Sequence, residues 1–197
     1  MQRTKFATLF RLWHWLMAFS VFGLLFTVLL RETFLNKKEV AAILTEKLAT
    51  FGVTLSSEQA ITVAKAIRAP MWEWHYIFAI VLGLSIALRI YLMATKEAQM
   101  PLLKLLQAEG MQEKMKTGVH LLLCLTIALL TLTGAFYYFK GALGFEKETV
   151  HWVKEVHEFL LQPLLLFVTL HIVGVIRHEM TTKEAIVSRM IHGDEVQ

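Results

Sequence analysis

The sequence has few charged residues and almost no cysteine. Only 18% of its 197 residues are charged and 56% are apolar, and the mean hydropathy is +0.53, which excludes an ordinary soluble globular domain. The single cysteine, Cys124, excludes a disulfide framework, a CxxC metal site and covalent haem attachment through CxxCH. No Ser/Gly/Pro-rich linker or repeat divides the chain, so one membrane domain is predicted over residues 1–197.

Four apolar runs are long enough to cross a bilayer. They predict an all-α protein, a transmembrane four-helix bundle. The predicted spans lie at about residues 10–30, 73–94, 117–139 and 157–177. The first run is not predicted to be a cleavable signal peptide, because no small-residue cleavage site follows it before Arg31.

The outer loop, residues 31–71, is too long to be a simple turn and predicts two short helices. Two residue pairs have capping-box spacing, namely Asn36 with Glu39 and Ser56 with Gln59. Pro70 is expected to end the second loop helix. The apolar face of the first loop helix would consist of Val40, Leu44, Leu48 and Phe51. Clustered leucines after Pro101, followed by lysines, predict an amphipathic segment on the inner membrane surface.

The distribution of charge predicts the orientation of the chain. An even number of spans puts both termini on the same side of the membrane. The segments on that side carry more Lys and Arg than Asp and Glu, whereas the opposite side is balanced. Because cationic loops are retained in the cytoplasm, both termini are predicted to be cytoplasmic.

Eight histidines are many for so apolar a chain. A single histidine at a helix end is more often an interfacial polar residue than a ligand, so the spacing of several is more informative. His157 and His171 both lie in the fourth span. A continuous helix would place them about 40° apart around its axis and about 21 Å apart along it. They would therefore share one helix face at two membrane depths.

Membrane depth predicts a partner for each of these two histidines. His75 opens the second span on the outer side, level with His157, and we call these two the outer pair. His14 lies about one turn into the first span on the inner side, level with His171, and these form the inner pair. Crossed pairs would have to bridge most of the membrane thickness. Two axial histidines hold a haem iron without an open coordination position, which favours electron transfer over oxygen activation.

The sequence resembles the bacterial cytochrome b561 and nickel-iron hydrogenase b-type cytochrome family over nearly its whole length. The resemblance rests on RLWHW around His14, on His75 at the start of the second span, and on the spacing of His157 and His171. It also rests on the amphipathic closing run HIVGVIRHEMTTKEAIVSRMIHG. Family members are four-helix dihaem cytochromes whose ligands match these four histidines. The long first loop departs from the common pattern.

The resemblance implies two b-type haems per chain in a bacterial cytoplasmic (inner) membrane protein. Its expected function is electron transfer between a periplasmic oxidoreductase subunit or cytochrome and quinone, which needs no catalytic residue. The alternative is a stand-alone superoxide:quinone oxidoreductase of the same family. That enzyme would need a cationic funnel at the outer haem, and its candidate residues are Lys140, Lys147 and Lys154. Nearby acidic residues offset them, namely Glu146, Glu148, Glu155 and Glu158.

A third reading, kept as a check, is a haem-free transporter or ion-binding protein that uses membrane histidines as a relay. Absence of haem absorbance would select it.

An electron-transfer subunit is favoured over a stand-alone enzyme. The lipid bilayer surrounds the chain, nothing indicates nucleic acid as a partner, and a homo-oligomer is compatible with the sequence.

Further polar residues gather at the predicted inner side. Arg89 is a candidate to neutralise a haem propionate, and its alternative role is that of a positive-inside anchor. Arg177 and His178 are candidates to contact propionates or a quinone headgroup, or else form a solvated cationic helix end. His120 could border a quinone pocket as well. These residues predict that quinone binds nearer the inner pair.

Overall fold

The computed structural model describes residues 8–95, 99–182 and 185–193. Within these ranges the chain forms helices and no strand, so the predicted all-α class is confirmed. The helices are α1 (Thr8–Glu32), α2 (Lys37–Ala49), α3 (Ser57–Ile67), α4 (Ala69–Ala94), α5 (Pro101–Gln107), α6 (Met111–Phe139), α7 (His151–Phe159), α8 (Leu161–Thr182) and α9 (Ile186–His192).

Four helical stretches in the described part of the chain are long and apolar enough to cross a membrane. They are α1, α4, α6, and the stretch His151–Thr182 that comprises α7 and α8. Each contains one of the predicted spans, and the prediction of four membrane-spanning helices is confirmed. The first three begin two to six residues before the predicted spans, so His14 and His75 lie further from their helix starts than the sequence indicated.

The fourth stretch is not one uninterrupted helix. α7 ends at Phe159 and α8 begins at Leu161, so a break at Leu160 separates His157 from His171. Pro163 explains the position of the break, because it lacks an amide N–H and its ring crowds the carbonyl of Phe159, four residues earlier. Leu160 keeps a helical backbone conformation, and the helical hydrogen bonds from Leu160 to Val156 and from Leu164 to Leu160 continue across it. The angle and separation expected from a continuous helix therefore stay predictions.

The chain divides into two compact units. One unit is His14–Ser85, and the other comprises the chain up to Trp13 and from Ile86 onward. In the second unit α6 packs against α5, α7 and α8, and α9 contacts α8. The prediction that residues 1–197 form one domain stays a prediction.

In the unit His14–Ser85, α1 and α4 approach closely. The rings of Phe19 and Phe78 meet edge to face with centroids 5.6 Å apart. Gly23 permits this approach, because an added Cβ would lie 2.7 Å from the Phe78 ring. The next turn of α1 after Gly23 carries Thr27, and one turn of α4 before Phe78 lies His75. The same packing therefore brings Thr27 and His75 together.

The outer loop forms the two predicted helices, α2 and α3, which pack against each other. Asn36 caps α2 by accepting a hydrogen bond from the Lys38 amide, whereas Ser56 and Gln59 form a complete capping box on α3. The contact is built on alanines, since Ala41, Ala60 and Ala64 form its buried centre. Phe51 does not belong to the α2 face as predicted: it follows the end of the helix and is 80% exposed.

Pro70 and Pro101 each lie in the first turn of a helix. α3 ends at Ile67, and Pro70 is the second residue of α4, where a missing amide N–H costs no helical hydrogen bond. Pro101 is the first residue of α5. This short helix exposes Leu102, Leu103 and Leu106, which suits the amphipathic surface segment predicted there.

Candidate functional site: the histidines and their hydrogen bonds

The four candidate ligands lie on four different helices and are all half-buried. His14 on α1 and His75 on α4 belong to the unit His14–Ser85. His157 on α7 and His171 on α8 belong to the other unit. Each predicted axial pair takes one histidine from each unit, so the pairing stays a prediction and each histidine is described within its own unit.

His75 is held by a hydrogen bond to α1. Its Nδ1 lies 2.8 Å from the hydroxyl oxygen of Thr27, and Thr27 is only 3% exposed. The same hydroxyl donates to the Leu24 carbonyl at 2.6 Å. A carbonyl oxygen has no hydrogen to offer, so the threonine proton points to Leu24 and the hydroxyl can only accept from His75. The His75 ring therefore carries its proton on Nδ1.

His157 is held in the same way by α6. Its Nδ1 lies 3.1 Å from the Thr133 hydroxyl oxygen, and that hydroxyl lies 2.7 Å from the Leu129 carbonyl and 3.2 Å from the Leu130 carbonyl, to which it can donate. The His157 ring also makes a hydrogen bond with the Leu130 backbone. His157 thus also donates from Nδ1. The neighbouring Gly134 gives the ring its space, because an added Cβ would lie 2.9 Å from His157 Cε1.

This arrangement suits iron ligation. A neutral imidazole that carries its proton on Nδ1 keeps the lone pair on Nε2, the nitrogen that then binds a metal. Histidine ligands usually donate their other ring N–H to an acceptor that fixes the ring. His75 and His157 both have such an acceptor. The His75 ring also contacts the Trp72 ring, and the His157 ring lies beside Gly134. Their donor chemistry therefore fits the axial ligation of a haem iron.

The surroundings of His75 include aromatic and cationic groups. The Trp72 ring meets His75 edge to face at 5.6 Å, and the Arg31 guanidinium lies 5.8 Å from the centroid of the same Trp72 ring. Arg31 also pairs with Glu32 at 3.4 Å. Sequence analysis used Arg31 only to mark the end of the first apolar run; the structure places it near the end of α1.

Arg89 is engaged by the first turns of α1. Its guanidinium lies 4.8 Å from the centroid of the Trp13 ring and 5.6 Å from that of Phe10. One N–H group donates to the Gln99 carbonyl at 3.4 Å. A guanidinium has five N–H donors, so this side chain has more donor capacity than the bond to Gln99 uses, as binding of a carboxylate would require. The contact fits the predicted propionate role and also explains how a cation is accommodated in an apolar helix.

The remaining inner candidates lie on α1, α6 and α8. His14 meets Trp15 edge to face with centroids 5.5 Å apart. On α8 the Arg177 side chain is exposed and His178 is half-buried. On α6 the Nε2 atom of His120 lies 3.7 Å from the Cys124 sulfur. The roles predicted for Arg177, His178 and His120 stay predictions.

One of the three lysines predicted to line the outer side, Lys154, is paired with an acidic residue. Lys154 on α7 forms an ion pair of 2.7 Å with Glu158, and His151 lies 3.4 Å from Glu155 on the same helix. Lys140 donates to the Tyr137 carbonyl at 3.1 Å and lies 4.1 Å from the centroid of the Tyr137 ring. The ion pair of Lys154 with Glu158 reduces the cationic field that a funnel for small anions would need, whereas the partners of Lys140 are uncharged.

Sequence reasoning missed Thr27, Thr133 and Gly134. A threonine in an apolar helix usually donates to its own helix backbone, so neither threonine was distinguishable from the other hydroxyl residues of the spans. Gly134 gave no turn or motif signal. Only the position of the neighbouring helix shows that these three residues contact candidate ligands.

Comparison with known families identifies the chain. A model of the prokaryotic cytochrome b561 family matches residues 5–193 of the 197. Comparison with curated proteins and with solved structures gave no significant match. The family match covers nearly the whole chain, including all four candidate histidines. The chain therefore belongs to the prokaryotic cytochrome b561 family, whose members are b-type cytochromes of membrane electron transfer.

Proposed function

We propose that the protein is a dihaem b-type cytochrome that carries electrons across the bacterial cytoplasmic membrane, between a periplasmic redox partner and the quinone pool. The observation that carries the proposal is the state of His75 and His157. Both rings donate from Nδ1 to a threonine hydroxyl and so keep the Nε2 lone pair for iron. Family membership supplies the type of cofactor.

The residues of the chain would hold and insulate two redox groups. A b-type haem supplies one-electron redox chemistry when it is bound. His75 with His157 would hold one haem, and His14 with His171 would hold the other. Arg89, held against two aromatic rings, would balance the charge of a propionate at the inner haem. No residue needs to act as an acid, base or nucleophile.

The proposed partners follow from the two ends of this electron path. The donor would be a periplasmic oxidoreductase subunit or cytochrome that docks on the side of α2 and α3. Quinone would bind nearer the inner pair, where Arg89, Arg177 and His178 supply polar groups within the described chain. Both termini would be cytoplasmic, as the excess of cationic residues on that side indicates.

The alternative, a stand-alone superoxide:quinone oxidoreductase, ranks second. It would require an attractive field for a small anion at the outer haem. The ion pair of Lys154 with Glu158 weakens that field. Steady-state superoxide consumption by the purified protein alone would select this alternative.

Haem analysis of histidine variants tests the proposal. The purified parent protein should contain two non-covalent b-type haems per chain by pyridine-haem assay. His75→Ala and His157→Ala should each remove the same haem, and His14→Ala and His171→Ala should each remove the other, because each iron needs both axial ligands. Difference spectra and redox titration of the remaining haem identify which one is lost.

Two other histidines provide matched controls. His151→Ala lies on α7 with His157, and His192→Ala lies on α9; both should retain two haems. One haem or none in the well-folded parent protein would contradict the dihaem proposal. If the His75→Ala and His157→Ala variants lost different haems, the proposed pairing would be wrong.

A further inference from the structure

Two threonines make the same contact with two candidate ligands. We propose that Thr27 and Thr133 are positioning residues that hold His75 and His157 in the Nδ1–H tautomer and thereby set how strongly these imidazoles donate to haem iron. The inference rests on the proposed function, because it takes both histidines as iron ligands. Neither threonine is expected to touch the iron.

The direction of each hydrogen bond follows from the short contacts of the threonine hydroxyls. Thr27 and Thr133 approach a carbonyl oxygen of their own helix at 2.6 and 2.7 Å. Two oxygens come this close only when a hydrogen lies between them, and only the hydroxyl has one. Each hydroxyl is therefore left with lone pairs toward the histidine, and the Nδ1 atoms at 2.8 and 3.1 Å must be the donors.

Each ligand is thus the first member of a two-bond relay from ring N–H to hydroxyl to backbone carbonyl. Because the hydroxyl proton is already engaged, the oxygen is a better acceptor than a hydroxyl without that bond. A stronger acceptor at Nδ1 makes Nε2 more basic. A more basic axial ligand stabilises ferric over ferrous iron, so the relays should lower the reduction potential of the haem that these histidines hold.

The relay occurs independently in both compact units, which argues against accidental packing. In one unit it joins α1 to α4 through Thr27 and His75, and in the other it joins α6 to α7 through Thr133 and His157. The two histidines are those that membrane depth assigned to one haem. Thr131, two residues before Thr133 on α6, also donates to its own helix backbone, at 2.9 Å. A threonine in this helix therefore does not by its sequence position alone indicate a contact with a histidine.

Isosteric replacement of the hydroxyl tests the relay in the haem-loaded, full-length protein. Thr27→Val and Thr133→Val keep the side-chain shape but remove the hydroxyl acceptor. In Thr133→Val the Leu130 backbone still bonds the His157 ring, so the larger change is expected from Thr27→Val. Potentiometric titration should show a higher midpoint potential for one haem. The ferric-to-ferrous ratio at fixed potential should fall by about two- to tenfold, as expected for the loss of one neutral hydrogen bond. The low-spin ferric electron paramagnetic resonance signal of that haem should shift as well.

Two further sets of variants separate the hydroxyl from packing. Thr27→Ser and Thr133→Ser retain the acceptor and should keep the parent potential and spectrum. Thr131→Val on α6 and Ser20→Ala on α1 remove hydroxyls that donate to their own helix backbone, and they should leave both haems unchanged. If a valine variant lost the haem and its serine counterpart kept it, the relay would be supported; if both lost it, the residue would serve packing and the inference would fail.

The outcomes also separate this inference from the proposed function. If His75→Ala and His157→Ala removed a haem but the valine variants kept the parent potential and spectrum, the relay would be overturned while the proposed function stood. If the two histidine variants retained both haems, the proposed function itself would fail. If the two valine variants shifted different haems, the relay would stand and the pairing of His75 with His157 would be wrong.

Discussion

At the scale of single residues, Gly134 allows His157 to lie against α6. Gly134→Ala should displace the ring, because the new Cβ would lie 2.9 Å from Cε1, closer than real Cβ contacts come, and 3.3 Å from Nδ1, tighter than most of them. A ligand moved by even a few tenths of an ångström binds iron less well. The variant should therefore lose the haem held by His157, or bind it about tenfold more weakly, as measured by haem titration of the purified protein.

Gly118→Ala is the control on the same helix. An added Cβ there meets no heavy atom of the described residues within 4 Å, and alanine favours a helix over glycine by about 1 kcal/mol. This variant should retain two haems and equal or higher thermal stability. Full haem occupancy in the Gly134→Ala variant would show that the ring is not constrained by α6.

The candidate histidines could be chosen from the sequence, but the residues that contact them could not. Histidines at matching depths in an apolar chain are rare enough to indicate ligands, so His75 and His157 stood out. Thr27 and Thr133 did not, because a buried threonine satisfies its hydroxyl within its own helix whether or not a histidine lies nearby. The relay depends on the register of two helices, which composition and spacing do not fix.

At the scale of helices, the four apolar runs predicted the long elements because a span must be both long and apolar. The boundaries were less accurate. α4 begins at Ala69 rather than near residue 73 because Pro70 is tolerated in a first helical turn. The fourth span breaks at Leu160 because Pro163 removes a hydrogen bond inside it. Hydropathy alone distinguishes neither case.

The capping box of α3 should control the local stability of the outer loop. Ser56 accepts from the Gln59 amide at 3.2 Å, and the Gln59 side chain accepts from the Ser56 amide at 2.8 Å. Ser56→Ala should destabilise α3 by about 1 kcal/mol, which corresponds to about fivefold faster exchange of its amides. Hydrogen exchange of peptides from residues 56–67, followed by mass spectrometry, measures the change.

Ser57→Ala is the matched control for this prediction. Ser57 is the next residue, is equally exposed, and is the first residue of α3 rather than its cap. Its replacement should leave exchange in α3 unchanged or slightly slower, because alanine has the higher helix propensity. Equal exchange rates in the two variants would show that the capping box contributes nothing to the loop.

At the scale of the whole chain, the number of spans determines on which side of the membrane each connecting segment lies. The stretch between the first two spans carries α2 and α3, and the stretch between the second and third carries α5. One span, α4, separates them, so these two stretches should lie on opposite sides of the bilayer. The cationic excess predicts that the α5 side is cytoplasmic.

Site-specific labelling tests this topology. In a Cys124→Ser background, Lys47→Cys places a thiol on α2, where the native side chain is 68% exposed, and Lys104→Cys places one on α5, at an exposed position. A membrane-impermeant maleimide should label the Lys47→Cys variant in intact spheroplasts but the Lys104→Cys variant only after lysis, because α4 crosses the membrane between them. The Cys124→Ser parent should stay unlabelled throughout. The opposite pattern would reverse the orientation and place α2 and α3 in the cytoplasm, where no periplasmic donor could dock on them. Labelling of both variants in intact spheroplasts would mean that α4 does not span the membrane.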